Sequence, residues 1–347
     1  MSDKRIQPPT TAAIAAAAAR LGAGELVAFP TETVYGLGAD AANPEAVRRI
    51  FAAKGRPADH PVIVHLASID QIADWARVFP EGARALANAF WPGPLTLILP
   101  RAAQVSDLVT GGQDSVGLRL PSHPVAQSLL TAFGGGIAAP SANRFGRISP
   151  TTAAHVAADL GEEVSTILDG GACPVGIEST IVAFTTDEPV LLRPGGIAID
   201  ALARVLGRPP RMAGTATSES SAGTSGGAAA AVPRASGTLA SHYAPRTPAS
   251  LVQPDALAAE LEQLAARDER VAVLAHRFGR KPGLADTWIA APADAAAYAR
   301  DLYANLRALD AANADVIVIE APPRGDAWLA VRDRLARATH GEDDDRD

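Results

Sequence analysis

The sequence has few of the residues that build disulfides and metal centres. It contains one cysteine, Cys173, which excludes an intrachain disulfide, a CxxC pair and a Cys/His set for structural zinc. Its seven histidines do not cluster at metal-ligand spacing, so no metal-binding residue is predicted. Cys173 is expected to be a small buried apolar residue rather than a nucleophile. This composition fits a reducing, cytoplasmic location.

An excess of positive charge and long apolar runs are also absent. The formal net charge is −7, so no global basic surface for nucleic acid or anionic membrane is predicted. No segment approaches the ~20 strongly apolar residues that span a bilayer. The alanine-rich start is interrupted by Pro8 and Pro9 and closed by Arg20, which favours an opening helix over a signal peptide. No membrane association is expected.

Apolar residues make up 48% of the 347 residues, enough to bury the cores of two domains. From residue 10 to 207, β-like runs alternate with helical segments, the pattern of a layered α/β domain. Some strands follow each other without room for a helix, which predicts a mixed sheet. Asn43 and Ser149 are predicted to cap the helices that follow them. The predicted strands are ELVAF, PVIVHLA, LTLILP, SVGLRLP, GIAAPS, TILDG, STIVAF and VLLRPG.

The second part of the chain predicts a linker and a smaller domain. Residues 213–231 contain only Ala, Gly, Ser, Thr and one Glu, which is typical of a flexible linker. From residue 248, strands and helices alternate, which predicts a small parallel, Rossmann-like domain. The predicted boundaries are therefore 10–207 for the first domain, 208–247 for the linker and 248–340 for the second. The acidic end, GEDDDRD, is expected to be frayed.

The standard nucleotide motifs are absent, since there is no GxxxxGK[ST] and GLGADA lacks the third glycine of GxGxxG. Polar residues instead follow the predicted strands, where open α/β sheets place their ligand sites. Thr31 with the glycines of VYGLG predicts either a ligand turn that allows close backbone approach or a structural turn. Lys54 and Arg56 could bind phosphate or complement a helix dipole. His65 could be a ligand contact or a core histidine.

Two further stretches are open to two interpretations. Because side chains alternate along a strand, Ser115, Gly117 and Arg119 are predicted to share one face, and Arg119 could serve a polar site or a salt bridge. Ser141 and Asn143 could bind an anion or stabilise a turn. Taken together, six cations placed around turns of one domain in an acidic protein predict a polyphosphate site; they are Lys54, Arg56, Arg119, Arg144, Arg147 and Arg193.

Nine short motifs follow one another along the chain, namely PTETVYGLGADA, KGRP, WPGPLTLIL, GLRLPSHP, APSAN, ISPT, GIESTI, LLRPG and SHYAP. They occur in the order seen in the YrdC-like family, which this sequence resembles over residues 10–245. The resemblance implies a twisted, open mixed sheet joined by a long loop to a Rossmann-like domain. It also implies an enzyme that makes threonylcarbamoyl-adenylate from L-threonine, bicarbonate or carbon dioxide, and ATP. The expected partner is the machinery that transfers this group to tRNA next to the anticodon.

The resemblance also implies residue roles. Lys54 and Arg56 would be catalytic, and magnesium would accompany ATP. The predicted threonine contacts are Thr31, His65, Arg119, Ala139 and Ser179. The predicted ATP contacts are Lys54, Arg56, Ser115, Ser141, Asn143, Ser149, Arg193 and Tyr243, of which Tyr243 would close over the site from the interdomain loop.

Two departures from the family pattern are visible, ASGTLA before SHYAP and His60 in place of an asparagine. The geometry of the loop before SHYAP and the contact at His60 are therefore not assigned. The alternative interpretation is an RNA-binding module that uses the cationic face, and a weak RNA contact is expected in either case. A carbamoyl-transfer version of the fold normally carries zinc fingers, which the single cysteine excludes.

Overall fold

The computed structural model describes residues 3–213, 232–279 and 283–340. The predicted flexible linker, apart from Ala213, and the acidic end therefore lie outside the described residues. In the described ranges, two β-sheets are present, one of eleven strands and one of four. No helix in these ranges is both long and apolar enough to cross a membrane.

The large sheet has the order β1-β8-β2-β3-β7-β4-β6-β5-β9-β10-β11 and mixes parallel with antiparallel pairs. This arrangement confirms the predicted mixed α/β fold. Its strands are β1 (Ile6–Gln7), β2 (Val27–Phe29), β3 (Gly36–Asp40), β4 (Ile63–His65), β5 (Leu95–Pro100), β6 (Ser115–Arg119), β7 (Ile137–Ala138), β8 (Ile167–Leu168), β9 (Thr180–Ala183), β10 (Val190–Arg193) and β11 (Arg211–Met212).

Eight α-helices accompany this sheet within the described residues, and Asn43 caps the second of them as predicted. Because β1 and β11 pair with β8 and β10, the sheet extends beyond residues 10–207 at both ends. The helices are α1 (Thr11–Gly22), α2 (Pro44–Lys54), α3 (Ile72–Trp75), α4 (Glu81–Phe90), α5 (Asp107–Thr110), α6 (Pro124–Phe133), α7 (Ala153–Leu160) and α8 (Ile199–Leu206).

The two faces of the large sheet are covered differently. On one face, alternate strand residues such as Leu97, Leu118 and Val182 form the main core with α2, α4 and α7. On the other face, α1 and α6 cover β2, β3, β7 and β8. The remaining strands of that face, β4, β5, β6, β9 and β10, are therefore available for a site, and residues 232–245 lie over them.

The second sheet is entirely parallel, with the order β12-β15-β13-β14. This confirms the predicted small parallel, Rossmann-like domain. Its strands are β12 (Ala249–Val252), β13 (Val271–Ala275), β14 (Thr287–Ala290) and β15 (Val316–Glu320). Its helices are α9 (Leu257–Ala266), α10 (Ala295–Asp310) and α11 (Leu329–Ala338).

The two domains share a packed interface. Val34, Ile148 and Ile177 from the first domain belong to the same buried cluster as Leu302 and Val331 of the second. Tyr243, from the segment that joins the domains, lies in this cluster and is 1% exposed. The second domain therefore closes one side of the large sheet's open face.

Candidate active site

The open face of the large sheet carries a small cavity of about 40 Å³. We call residues 232–245, which lie over it, the covering segment. Ala235 of this segment packs on Ile98, Ile181 and Leu192 of the sheet. The cavity is lined by Thr31, Thr33, Val34, Gly36, Ile63, His65, Arg119, Ala139, Pro140, Ser141, Glu178, Ser179, Arg193, Ser236, Gly237, His242 and Tyr243.

Several predicted residues line this cavity together, and others do not. Those that the structure brings together are Thr31, His65, Arg119, Ala139, Ser141, Ser179, Arg193 and Tyr243. Ser115 lines an adjoining space of about 10 Å³, which shares Ile63 and Ser236 with the cavity. Lys54, Arg56, Asn143 and Ser149 are buried behind the lining. Arg144 and Arg147, also counted among the predicted cations, line a separate groove with Arg246 and Arg307.

The glycines of VYGLG lie in a strand rather than in the predicted turn. Gly36 and Gly38 belong to β3, which pairs antiparallel with β2. A Cβ atom on Gly38 would lie 2.8 Å from the ring of Phe29 and 3.0 Å from Ile137. The ring of Phe29 in turn meets the ring of His65 edge-on, with 6.2 Å between centroids. The absence of a Cβ atom on Gly38 therefore allows the Phe29 ring to pack closely against β3, where the ring also contacts His65.

The turn before β3 is organised by Thr31. Its hydroxyl donates to the carbonyl of Val34 at 2.7 Å and accepts from the backbone N–H of Thr33 and of Val34 at 3.2 Å. Thr31 and Thr33 also share a hydrogen bond of 2.8 Å between hydroxyls. Thr31 therefore stabilises the turn, which is one of its two predicted roles, and it also lines the cavity. Its role as a ligand contact stays a prediction.

Arg119 forms a buried ion pair with Glu32, a residue without a predicted role. Arg119 Nη2 lies 2.8 Å from Glu32 Oε1, and the two side chains are 5% and 6% exposed. The geometry leaves both atoms without a hydrogen bond among the described residues. Arg119 shares its strand face with Ser115 and Gly117, as the alternation predicted. Burial, with the charge of Arg119, lowers the pKa of His65 to about 3, so its imidazole is neutral.

Arg193 holds both the sheet and the covering segment. A β-bulge between Leu191 and Arg193 pairs Arg193 with Ile181, on the open face. Its Nε donates to the carbonyl of Ser179 at 3.1 Å, and its Nη2 donates to the hydroxyl of the same residue at 3.1 Å. Its Nη1 donates to the carbonyl of Ser236 at 2.6 Å. The guanidinium therefore joins two parts of the cavity wall.

Lys54 and Arg56 lie behind the turn that carries Ser141 and Asn143. Lys54 Nζ donates to the backbone carbonyls of Ser141 and Asn143, at 2.6 Å each. Burial and the charge of Arg56 lower the pKa of Lys54 well below its usual range. Burial lowers the pKa of Arg56 to about 10, and its guanidinium lies 5.5 Å from the ring centre of Phe145. Lys54 therefore fixes the position of the APSAN turn.

Ser149 does not cap a helix, contrary to the prediction. The cap of α7 is Thr152, whose side chain accepts from the backbone N–H of His155. The Ser149 hydroxyl instead donates to Glu178 Oε1 at 2.6 Å, because the helix begins only at Ala153 and leaves Ser149 beside Glu178. Asn143 donates to the carbonyls of Arg144 and Arg147, so it stabilises its own turn.

The aromatic end of the covering segment closes the cavity. The rings of His242 and Tyr243 are 4.4 Å apart, and the ring of Phe145 lies 5.7 Å from that of His242. Burial lowers the pKa of His242 to about 3. Burial also raises the pKa of Cys173 to about 12, so its thiol is not activated and the expected buried, structural role is confirmed.

The chain has relatives along most of its length. The curated threonylcarbamoyl-AMP synthase of Pyrococcus abyssi is 40% identical to it over 321 residues, which is 91% of each chain. The chain belongs to the threonylcarbamoyl-AMP synthase family. The synthase of Bacillus subtilis is also 40% identical, over 94% of this chain and 93% of its own. These relatives confirm the predicted family and the predicted enzyme class.

Family models and solved structures of synthases agree with this membership. The model described as telomere recombination, for Sua5, YciO and YrdC proteins, matches residues 19–195. The model for the threonylcarbamoyl-AMP synthase C-terminal domain matches residues 197–340. The crystal structure of P. abyssi Sua5 complexed with L-threonine superposes with a TM-score of 0.85 at 39% identity, covering 96% of both chains. E. coli YciO, at 24% identity and a TM-score of 0.50, shares the fold of the first domain.

Three ionisable residues of this synthase-family site were not predicted, namely Glu32, Glu178 and His242, and all three are buried. Each adjoins a predicted residue in the sequence, namely Thr31, Ser179 and Tyr243. The sequence signal that could have identified them is a carboxylate or imidazole side chain within a motif that already contains a predicted site residue. Glu32 matters because it neutralises Arg119, which the sequence motif presents as a free cation, and Glu178 matters because it pairs with Arg334 of the second domain.

Proposed function

We propose that this chain synthesises threonylcarbamoyl-adenylate from L-threonine, bicarbonate or carbon dioxide, and ATP, with release of pyrophosphate. The proposal rests chiefly on three buried cations, Lys54, Arg56 and Arg193, beside one cavity. In the described ranges, none of them has a carboxylate within ion-pair distance, whereas most other buried charges are paired. A buried cation without a counter-ion is costly, so an anionic ligand such as a polyphosphate would stabilise this arrangement.

The other end of the cavity suits an amino acid. The ion pair of Arg119 and Glu32 presents both signs of charge beside Thr31 and neutral His65. An amino acid likewise carries one cationic and one anionic group, and Arg119 is suited to hold its carboxylate. The relative from P. abyssi was crystallised with L-threonine, which supports threonine as the amino acid.

The chemistry needs no protein nucleophile. The neutral amine of threonine attacks carbon dioxide to give a carbamate and a proton, and a carbamate oxygen then attacks the α-phosphorus of ATP. The bond to the β-phosphate oxygen breaks, and pyrophosphate leaves. Arg119 orients the threonine, while Arg193, Lys54 and Arg56 offset phosphate charge. Lys54 contributes also by fixing the turn that contains Ser141.

Magnesium would enter as the ATP complex rather than through protein ligands. In the described part of the chain, no group of three or more His, Cys, Asp or Glu side chains could hold a metal ion. The two carboxylates beside the cavity are engaged, Glu32 with Arg119 and Glu178 with Arg334. Phosphate oxygens and water are the usual ligands of magnesium in such complexes.

The product would pass to the machinery that modifies tRNA next to the anticodon, in the cytoplasm, where ATP and tRNA are both present. A weak RNA contact stays a prediction; the groove of Arg144, Arg147, Arg246 and Arg307 is the surface where it would be tested first.

The deciding experiment measures pyrophosphate release from MgATP, with L-threonine and bicarbonate present together, singly or not at all. We expect release only when both are present. Release without threonine would contradict the proposal, and so would the absence of release from protein that binds RNA. Serine in place of threonine is the matched control, since it lacks only the methyl group.

A further inference from the structure

The second domain contributes a charged residue directly behind the cavity. Arg334, on α11, is completely buried, and its Nε donates to Glu178 Oε2 at 2.7 Å. Glu178 lines the cavity from the first domain. Arg334 Nη1 also donates to Asp333 at 2.6 Å. Arginine is almost never fully buried unless it is paired. The burial of Arg334 therefore indicates that its ion pair with Glu178 is part of the packed interface between the domains.

Glu178 is held by donors from both domains. Its Oε1 accepts from the hydroxyl of Ser149 at 2.6 Å, and its Oε2 accepts from the hydroxyl of Tyr303 at 2.8 Å. Tyr303 lies on α10 of the second domain and is also fully buried. These contacts fix the backbone before Ser179, the residue to which Arg193 donates twice.

The same arginine lies against the covering segment. The guanidinium carbon of Arg334 is 5.4 Å from the ring centre of Tyr243, and the ring of Tyr303 is 5.6 Å from that ring. Tyr243 has a φ of +63°, a left-handed conformation that is unfavourable for a residue with a Cβ atom. Its burial between Arg334, Tyr303 and His242 offsets this strain.

We propose that Arg334 is a positioning residue of the active site, which orients Glu178 from behind and holds Tyr243 over the cavity. The second domain then completes the site instead of serving only as an appended unit. This inference rests on the proposed function, because it assigns Arg334 a role in the same reaction.

The charge around Glu178 makes the role measurable. Burial alone would raise its pKa, but the charges of Arg334 and Arg193 and its hydrogen bonds lower that pKa to about 2. Without Arg334 the Glu178 carboxyl would protonate at a higher pH, and its hydrogen bond with the Ser149 hydroxyl would change as a result. The groups that face Glu178 are Ser149, Arg193, His242, Tyr243, Tyr303 and Arg334.

The test compares Arg334→Met, Arg334→Lys and Tyr303→Phe with the wild type. Arg332→Met is the matched control, since Arg332 is an exposed arginine on the same helix. Each protein is assayed for kcat and KM for ATP and threonine from pH 5.5 to 9, and its thermal midpoint is recorded. We expect Arg334→Met to lower kcat/KM about 10- to 100-fold, with activity lost at a higher pH on the acid side. Arg334→Lys should have a higher kcat/KM than Arg334→Met, and it should lose activity at a lower pH than Arg334→Met does.

Tyr303→Phe keeps the ring, so it is expected to fold and to lower kcat/KM only several-fold. If Arg334→Met does not fold, Arg334→Lys and Tyr303→Phe decide the question. Kinetic constants and acid limbs equal to the wild type in both would overturn the inference, and so would a change in thermal midpoint alone. Failure of the wild type to need threonine and bicarbonate would instead overturn the proposed function, so the two failures are distinguishable.

Discussion

Arg193 connects the large sheet to the covering segment through its hydrogen bonds to Ser179 and Ser236. Its position at the end of a predicted strand was visible in the sequence, but its direction depends on the bulge in β10. Strand alternation alone placed Arg119 correctly, because β6 has no bulge. A two-residue period can therefore predict a facing side chain only where the strand is regular.

We expect Arg193→Ala to leave a folded enzyme with much slower turnover. The change removes a buried charge beside the proposed phosphate site and three hydrogen bonds to Ser179 and Ser236. The loss in transition-state stabilisation should be on the order of 2–4 kcal/mol, measured as kcat/KM for pyrophosphate release. Arg193→Lys is the control that keeps the charge, and near-normal turnover of Arg193→Ala would remove this residue from the site.

A second prediction at this scale concerns stability. Gly38→Ala should destabilise the fold by about 1–3 kcal/mol, since the added Cβ would press on Phe29, Ile137 and the carbonyl of Val27. The matched control is Gly22→Ala, where nothing lies within 4 Å of the new Cβ. Urea unfolding of both variants is the measurement. Equal midpoints for the two would show that β3 can shift to accept a side chain.

Elements with a strong local pattern were predictable, and those defined by their partners were not. The apolar runs of β5 and β6 and the capped start of α2 follow from composition, period and Asn43. β3 was missed because GLGAD has two glycines and reads as a turn, although its pairing with β2 and β7 makes it a strand. β1 and β11 contain two residues each, too few for any periodicity.

At the scale of the covering segment, Gly237→Ala should lower activity. Gly237 has a φ of +74°, and a Cβ there would lie 2.1 Å from the Tyr243 hydroxyl oxygen and 2.9 Å from Arg193 Nη1. The segment would have to lift from the cavity, so we expect kcat/KM to fall at least tenfold.

Gly134→Ala serves as the control for Gly237→Ala. It has a similar φ of +78° with nothing within 4 Å, so it reproduces the backbone strain without the collision. Pyrophosphate release and the thermal midpoint are measured for both variants. If both retain wild-type kinetics, the covering segment is a tether without a part in the reaction.

For the whole molecule, the buried titratable groups predict a loss of stability in acid. His65 and His242 have pKa values of about 3, against 6.5 for a free imidazole, because of burial. The unfolded chain therefore binds protons more readily below pH 6.5, and stability falls as pH falls. Below about 4.5, Glu178 adds to the slope, since its folded pKa is about 2.

Between pH 6.5 and 4.5 we expect the free energy of unfolding to fall by on the order of 3–5 kcal/mol. Urea unfolding at several pH values measures this change. His242→Gln should flatten the slope, because one of the two buried imidazoles is gone. A free energy that is constant from pH 7 to 5 would contradict the assigned burial of both histidines.

Contacts between the domains lay beyond what sequence reasoning could reach. Motifs place Ser149 and Ser179 in the site, and Glu178 adjoins one of them, but Arg334 is 156 residues away from Glu178 in the chain. Its helix, α11, lies in the part of the chain where strands and helices were predicted to alternate, yet a helical pattern does not say which arginine faces inward across a domain boundary. Long-range pairing of this kind is set by tertiary packing rather than by local preference.

The late position of Arg334 has a consequence for synthesis on the ribosome. The first domain can assemble its sheet early, since domains generally fold as units from the N-terminal side. The Glu178 carboxylate of this domain then has no ion pair with Arg334 until α11 has been translated. A growing chain would thus hold the proposed substrate residues before it can align them, which would delay ATP consumption until α11 has been translated.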